Sequence, residues 1–419
     1  MNDITSAAEP VKKREIFGWC CFDFANSAFT TVIITVVYAV YFQNVVAGGA
    51  SWANAAWGWT LSLSQLVVIL FSPFVGAIAD MKACKKGFLM IATIVCSVAT
   101  ASLYFVGAGE IAAAIGLVAL ANLAFSFSEN LCSGFLPEIS TPETAGKISG
   151  YGWSFGYFGG LLSLVLALMI FKSGEGRAPW TFLMTGAFFM IAALPTLLLL
   201  KERAKPQPLP AGESLWKVGL KENLSSLKSI KDGGPLGKFF IALTLFTAGL
   251  MSVVAFASIY ATKVIGMQQT EVIGLFVVLQ LAGVAGAFGF GFLQDKKGPK
   301  PALLIALVLW IIVCVGGSFC RSKTEFYILG ALAGVAMGSL QSAGRAVVAT
   351  FTPEGKSGEY FGYWGFFTKL AAVVGPPVFG MTASFFGERV AIFVNSGFFV
   401  AGLLVLLPLA IDRRQGHAN

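Results

Sequence analysis

Four charged side chains stand inside otherwise apolar stretches of this sequence: Asp23, Glu129, Arg345 and Lys369. A charge at the centre of a membrane-spanning helix costs about 2.5–3.5 kcal/mol on insertion scales, so such residues face a cavity or a partner of opposite sign. The two acids fall in the first half of the chain and the two bases in the second. That division suits ion pairs made and broken between two moving bodies, with an acid that can take up a proton when its pair separates. Counted at ~1.5 Å per residue, Asp23 (seven residues inside Ile16), Glu129 (eight before Pro137) and Arg345 (seven before Thr352) share a depth of roughly 10–12 Å. Lys369 lies deeper, near mid-span. The expectation is that Asp23 or Glu129 pairs with Arg345 across the halves. The alternative is that each charge pairs within its own half or reaches back to the nearer surface.

Around Asp23, the residues Asn26, Ser27, Thr30, Ile34 and Tyr38 recur at spacings of three and four, a mostly polar stripe expected to line the solute's path. Gln65 and Gln280 are mid-span amides, available to a solute or to a neighbouring helix. Trp153, Tyr157, Tyr363 and Trp364 are candidate aromatic walls, with lipid or helix packing as the alternative. Asp80 and Asp295 end their spans and are followed by basic residues. An acid there can accept hydrogen bonds from the unpaired N–H groups at a neighbouring helix N-terminus and so latch one side shut. Gly76 and Gly291 belong to the same gate, and Glu138 with Lys82, Lys85 or Lys86 is its companion charge set; ordinary solvation of the loops is the alternative.

These residues must be held by helices in a bilayer. Of the 419 residues 56% are hydrophobic and 12% charged, with a mean hydropathy of +0.78, whereas a soluble domain carries about 25% charged residues. Apolar segments lie near 16–43, 54–79, 87–107, 110–136, 148–171, 180–200, 236–262, 271–294, 301–320, 326–351, 359–384 and 389–411. Each is long enough to span as a helix, which satisfies its own backbone hydrogen bonds. The first fifteen residues are too polar for a cleaved signal peptide, so the first span is expected to remain. Of the 29 Lys and Arg, 21 fall on the side shared by the termini, six on the other and two within spans. The positive-inside bias then places both termini in the cytoplasm, and the net charge of +8 reads as topology instead of nucleic-acid binding.

The halves repeat. At an offset of 215, Gln65, Gly76, Asp80, Lys82 and Lys85 coincide with Gln280, Gly291, Asp295, Lys297 and Lys300; at 211, Thr141, Pro142, Glu143 and Trp153 coincide with Thr352, Pro353, Glu354 and Trp364. The expected organisation is a tail at 1–15, a six-helix bundle at 16–201, a linker at 202–235, a second bundle at 236–411 and a tail at 412–419. Parallel duplication of this kind places a solute site between the halves near the midplane. Within the linker, Trp216, Leu220, Leu224, Leu227 and Ile230 at helical spacing predict an amphipathic helix on the inner leaflet, or a solvated one.

GAIADMKACKK at 76–86 and GFLQDKKGPK at 291–300 resemble the signature between helices 2 and 3 of the major facilitator superfamily and its repeat between helices 8 and 9. WCCFDFANSAFTTVI, LPEISTPETAGKISGYGWSFGYFGG and PEGKSGEYFGYWGFFTKLAAVVGP make the chain, over about 16–411, similar to bacterial relatives of the autophagy-related fungal vacuolar amino-acid effluxers. The resemblance implies an all-α membrane protein of twelve helices in the bacterial inner membrane. It implies a carrier moving a small polar organic solute by alternating access, with amino-acid export as the best reading and protons as the candidate coupling ion. A proton-coupled exporter of amphipathic drugs and a non-transporting receptor on a carrier fold are the rival readings. The partners expected are the solute and the lipid bilayer, and the working unit a monomer. The sole histidine, His417, lies in the tail, and the seven cysteines form no CxxC pair. Enzymatic chemistry, a metal site and a cofactor are therefore not expected.

Overall fold

In a computed structural model the described residues are 10–50, 52–174, 176–204, 206, 228 and 234–411. The predicted amphipathic helix around Trp216–Ile230, apart from residue 228, and the tail beyond 411 fall outside them. Among the described residues, twelve helices are long and apolar enough to cross a membrane. They are α1 (Lys13–Val46), α2 (Ala56–Met81), α3 (Lys85–Phe105), α4 (Ile111–Ile139), α5 (Ala145–Phe171) and α6 (Ala178–Leu199) in the first half. The second half holds α7 (Pro235–Ala257), α8 (Gly274–Lys297), α9 (Pro299–Phe319), α10 (Lys323–Phe351), α11 (Ser357–Ala383) and α12 (Glu388–Leu406).

Local sequence explains where these helices begin and end. Gly298, at φ +83°, ends α8, and Pro299 opens α9 at the position where a missing N–H is harmless. Ser322 caps α10, accepting the Glu325 amide at 3.2 Å, while the Glu325 carboxylate turns back to the Ser322 amide at 3.4 Å. Helix α1 departs from the expected regularity, because Phe29–Val36 is wound as π-helix. A wider turn rotates everything beyond it, so the stripe counted from Asp23 does not run on to Tyr38. Tyr38 is instead fully buried, edge-on to Phe182 at 4.8 Å and beside Trp57 at 6.0 Å.

Within the first half α1 packs on α5 and α6, and α3 on α4 and α6; within the second α8 packs on α10, and α7 on α11 and α12. The halves meet through α2 on α11 and α5 on α8, with α10 against α5 and α4 against α11 completing the seam. Small residues allow these approaches. A Cβ on Gly362 would lie 2.5 Å from the Pro73 backbone, and one on Gly150 would lie 2.5 Å from the Ala287 carbonyl.

Candidate functional site

The seam carries two ion pairs, and both cross between the bundles. Arg345 of α10 reaches into the first bundle, where its Nη2 lies 2.7 Å from Asp23 Oδ2 of α1. Its Nε donates to Ser149 Oγ and its Nη2 to the Ser149 carbonyl, each at 3.1 Å. The guanidinium stacks over Trp19 and Trp153, 4.5 and 5.3 Å from the ring centroids, and its side chain is 2% exposed. Stacked indoles and a carboxylate together make burial of this charge tolerable. The Asp23 contact is Coulombic, since Oδ2 has no well-aligned hydrogen bond. The second pair joins Lys369 of α11 to Glu129 of α4 at 3.3 Å, with side chains 16% and 22% exposed. Of the two expected partners for Arg345, the structure places Asp23 there, whereas Glu129 meets Lys369. Counting along an axis fixes the depth of a Cα but neither the helix face nor the reach of a lysine, which is why it left the choice between the two acids open and named no partner for Lys369.

At the end of the bundle where α1 begins and α12 ends, the seam is shut by two related contacts. Asp80, at the end of α2, accepts the Gly358 and Glu359 amides of α11 at 3.0 and 2.9 Å. Asp295, at the end of α8, accepts the Lys147 amide of α5 at 2.8 Å. Lys147 and Gly358 are themselves 211 residues apart, so the duplication extends from the motifs to the bonds they make. Each acid meets the positive end of a neighbouring helix, where free N–H groups point. Gly76 sits against the Gly358 carbonyl, and Gly291 against Gly146 and Gly150.

Of the three lysines expected around Glu138, Lys85 is the one found there. Fully buried, it binds Glu138, Asp80 at 3.1 Å and the Ser357 hydroxyl of the other half. Lys82 is exposed, and Lys86 contributes its backbone amide, which donates to Glu202 at 2.8 Å. A contact that spacing did not signal sits beside them. Arg203, four residues past α6, donates its amide to the other Glu138 oxygen at 3.3 Å and its guanidinium to the buried Glu15 at 2.8 Å. Burial pushes the Glu202 carboxyl above its ordinary value, offset by the Lys86 amide.

The other candidates divide. Tyr157 donates to Gln341 of α10 at 2.8 Å and packs its ring on Gly283 of α8, so it bridges the halves. Gln280 approaches Gly160 across the α5–α8 contact, and Gln65 has a buried carbonyl oxygen without a partner. Trp153 serves Arg345. Trp364 is buried against Phe361 instead of walling a path. Ser27 spends its hydroxyl on the Asp23 carbonyl at 2.8 Å, and Asn26 is buried. Ser149, which the sequence reading missed, is flanked by Gly146, Gly150 and Gly152, a run of small residues that marks a close approach. Two cavities, one of about 510 Å³ beside Tyr41 and Arg177 and one of about 60 Å³ between Phe256 and Phe326, touch neither ion pair. Among the described residues there is no group of three metal-ligating side chains.

Twelve helices fit to span a membrane, in two related halves that meet along a charged seam, are the architecture of a transporter of the major facilitator superfamily. Solved structures agree on the fold. The human organic anion transporter MFSD10 superposes with a TM-score of 0.75 at 14% identity, over 95% of this chain and 100% of that one. The proton:xylose symporter XylE gives 0.74 at 14%, over 94% and 95%. The chain belongs to the family of vacuole effluxer Atg22-like proteins, whose model matches residues 47–419. It is 23% identical to the MFS-type transporter YxiO of Bacillus subtilis over 93% of both chains. It is 26% identical to the multidrug resistance protein MdtG of Enterobacter lignolyticus over 97% of this chain and 94% of that one. Autophagy-related protein 22 of Kluyveromyces lactis is 23% identical over 65% of this chain, which spans 60% of the fungal protein's length.

Proposed function

We propose that the protein exports a small polar organic solute, an amino acid or related metabolite, across the cytoplasmic membrane of a bacterium by alternating access. The observation that carries this reading is the pair of ion bridges, Asp23–Arg345 and Glu129–Lys369, that span the two halves beyond a latch made by Asp80 and Asp295. Bridges between bodies that must separate are the parts an alternating-access cycle makes and breaks, and a polar solute suits a seam lined with charge. The excess of Lys and Arg on the side of the termini supports a cytoplasmic latch, so the closed end is the inner one. Family membership supports efflux. Protons are the proposed coupling ion, through an acid freed when its pair opens, and the working unit is a monomer.

The test is metabolite profiling of cells with and without the gene, followed by flux of the accumulating solute in proteoliposomes. Intracellular build-up in the deletion strain and saturable flux through the purified protein are expected; absence of both would overturn the reading. Gradient-driven flux that survives Glu129→Gln in full would remove coupling through that carboxylate. Similarity to MdtG favours a second reading, export of amphipathic drugs, and apolar cations outcompeting amino acids for flux would select it. A receptor without transport is disfavoured by the latch present in both halves.

A further inference from the structure

We infer that the Glu129–Lys369 pair is the point at which the solute docks, opened by a molecule that brings both an ammonium and a carboxylate, while Asp23–Arg345 is a fixed joint of the closed state. The inference rests on the export reading for the existence of a solute and adds the two residues that recognise its charges. What holds each pair distinguishes them. Arg345 is fastened by Asp23 at 2.7 Å, by two bonds to Ser149 at 3.1 Å and by two indole faces, and is 2% exposed. Lys369 meets Glu129 in one contact of 3.3 Å, with the Phe125 ring centroid 6.0 Å away, and both partners keep part of their surface open. The second pair has fewer bonds to lose, so it can be parted without dismantling the first.

Charge balance then states what that molecule must be. The four seam residues sum to zero. A solute with a single charge would satisfy one member of the parted pair and leave the other uncompensated between the bundles, which is strongly unfavourable. A zwitterion places its ammonium on Glu129 and its carboxylate on Lys369, so two charge-assisted bonds replace one and the seam stays neutral. Selection thus acts on the charge pattern and leaves the solute's side chain to neighbours such as Phe125.

Three matched probes read this in proteoliposomes: leucine, leucinamide, which keeps only the ammonium, and N-acetylleucine, which keeps only the carboxylate. The wild type is expected to favour leucine over both by about tenfold or more, the worth of one charged hydrogen bond. Glu129→Gln should narrow the gap to N-acetylleucine alone, and Lys369→Gln the gap to leucinamide alone. Should the single variants fail to fold, the reversed pair Glu129→Lys with Lys369→Glu decides: retained preference for leucine supports the inference, and its loss overturns it. If the wild type moves leucine but both single variants keep its order among the three probes, this inference falls and the export reading stands. If the wild type moves none of the three, this inference falls, and the export reading is decided by the metabolite profile and the flux of whatever solute accumulates.

Discussion

Gly76→Ala should open the closed end of the bundle. A methyl group there would overlap the Gly358 carbonyl and lie 2.8 Å from the Glu359 amide nitrogen. Both obstacles are backbone, so neither can rotate away. The Glu359 amide alone must retreat by about 0.6 Å to reach the 3.4 Å of ordinary contact, and the Gly358 carbonyl further. That retreat carries the same two amides away from Asp80, which they now reach at 3.0 and 2.9 Å. Hydrogen bonds to a charged group contribute about 1.5–3 kcal/mol each. Losing both, with water partly replacing them in the open state, moves the closed–open balance by about 3 kcal/mol, roughly a hundredfold in population. Spin labels at Lys82 and Glu354, on the two loops flanking this contact, report it by double electron–electron resonance in nanodiscs. The variant should transfer the short-distance population of the wild type to a longer distance. Gly58→Ala, where a methyl meets nothing within 4 Å on the same helix, should leave the distribution unchanged. A wild-type distribution in Gly76→Ala would refute the argument.

Arg345→Met should destabilise the protein by about 3–5 kcal/mol through the unpaired Asp23 it leaves, and adding Asp23→Asn should restore most of the loss in thermal unfolding. Arg203→Ala removes the cationic partner of the fully buried Glu15 and should lower the melting temperature more than Lys82→Ala, whose side chain is exposed. Lys85→Met removes the buried cation shared by Asp80, Glu138 and Ser357 and should lengthen the Lys82–Glu354 distance, whereas Lys300→Met should not. Because burial raises the Glu202 carboxyl above its unfolded value, its contribution is most favourable below about pH 4.5 and is lost as pH rises through the folded value. Glu202→Gln should therefore gain stability relative to the wild type as pH rises through that window, read by melting temperature against pH.

Hydropathy, the charge bias and the two offsets make twelve helices in two halves legible before any coordinates, because each reports a property of a whole segment. The acid-to-amide contacts of Asp80 and Asp295 are legible too: an acid closing a span beside another helix's start has few better acceptor roles. Pairing partners are harder. Glu129 and Arg345 share a depth, but depth is one coordinate of three, and the stem of Lys369 crosses the difference to reach Glu129. The π-helical stretch FTTVIITV has no periodic signature, and it undid the stripe drawn from Asp23 to Tyr38. Arg203 was hidden by its place in a segment whose composition reads as linker, since its bond to Glu15 joins residues 188 apart through tertiary packing alone.

The duplication makes the two latches comparable residue by residue, and they are not equal. Lys85 and Lys300 occupy equivalent positions, yet Lys85 is drawn inside to Asp80, Glu138 and Ser357, whereas Lys300 turns outward and donates to the Leu407 and Leu409 carbonyls at 2.7 Å each. In the second role it caps the C-terminus of α12, where a cation is favoured by the helix dipole, and takes no part in closing the seam. The glycines agree. A methyl on Gly76 meets backbone it would overlap, while one on Gly291 stays 3.2 Å from its nearest neighbour, a shortfall of a few tenths of an ångström. At the end latch the α2–α11 side therefore holds a buried cation and a tighter glycine than their equivalents on the α5–α8 side, while the α5–α8 side keeps its own close approach at Gly150 and the Arg345 joint. The Glu129–Lys369 pair lies on the α2–α11 side, through α4 and α11, and Asp23–Arg345 on the α5–α8 side, through the Ser149 contacts. A solute that parts Glu129 from Lys369 therefore acts on the side whose end latch holds Lys85, and leaves the Arg345 joint in place until the bundle opens.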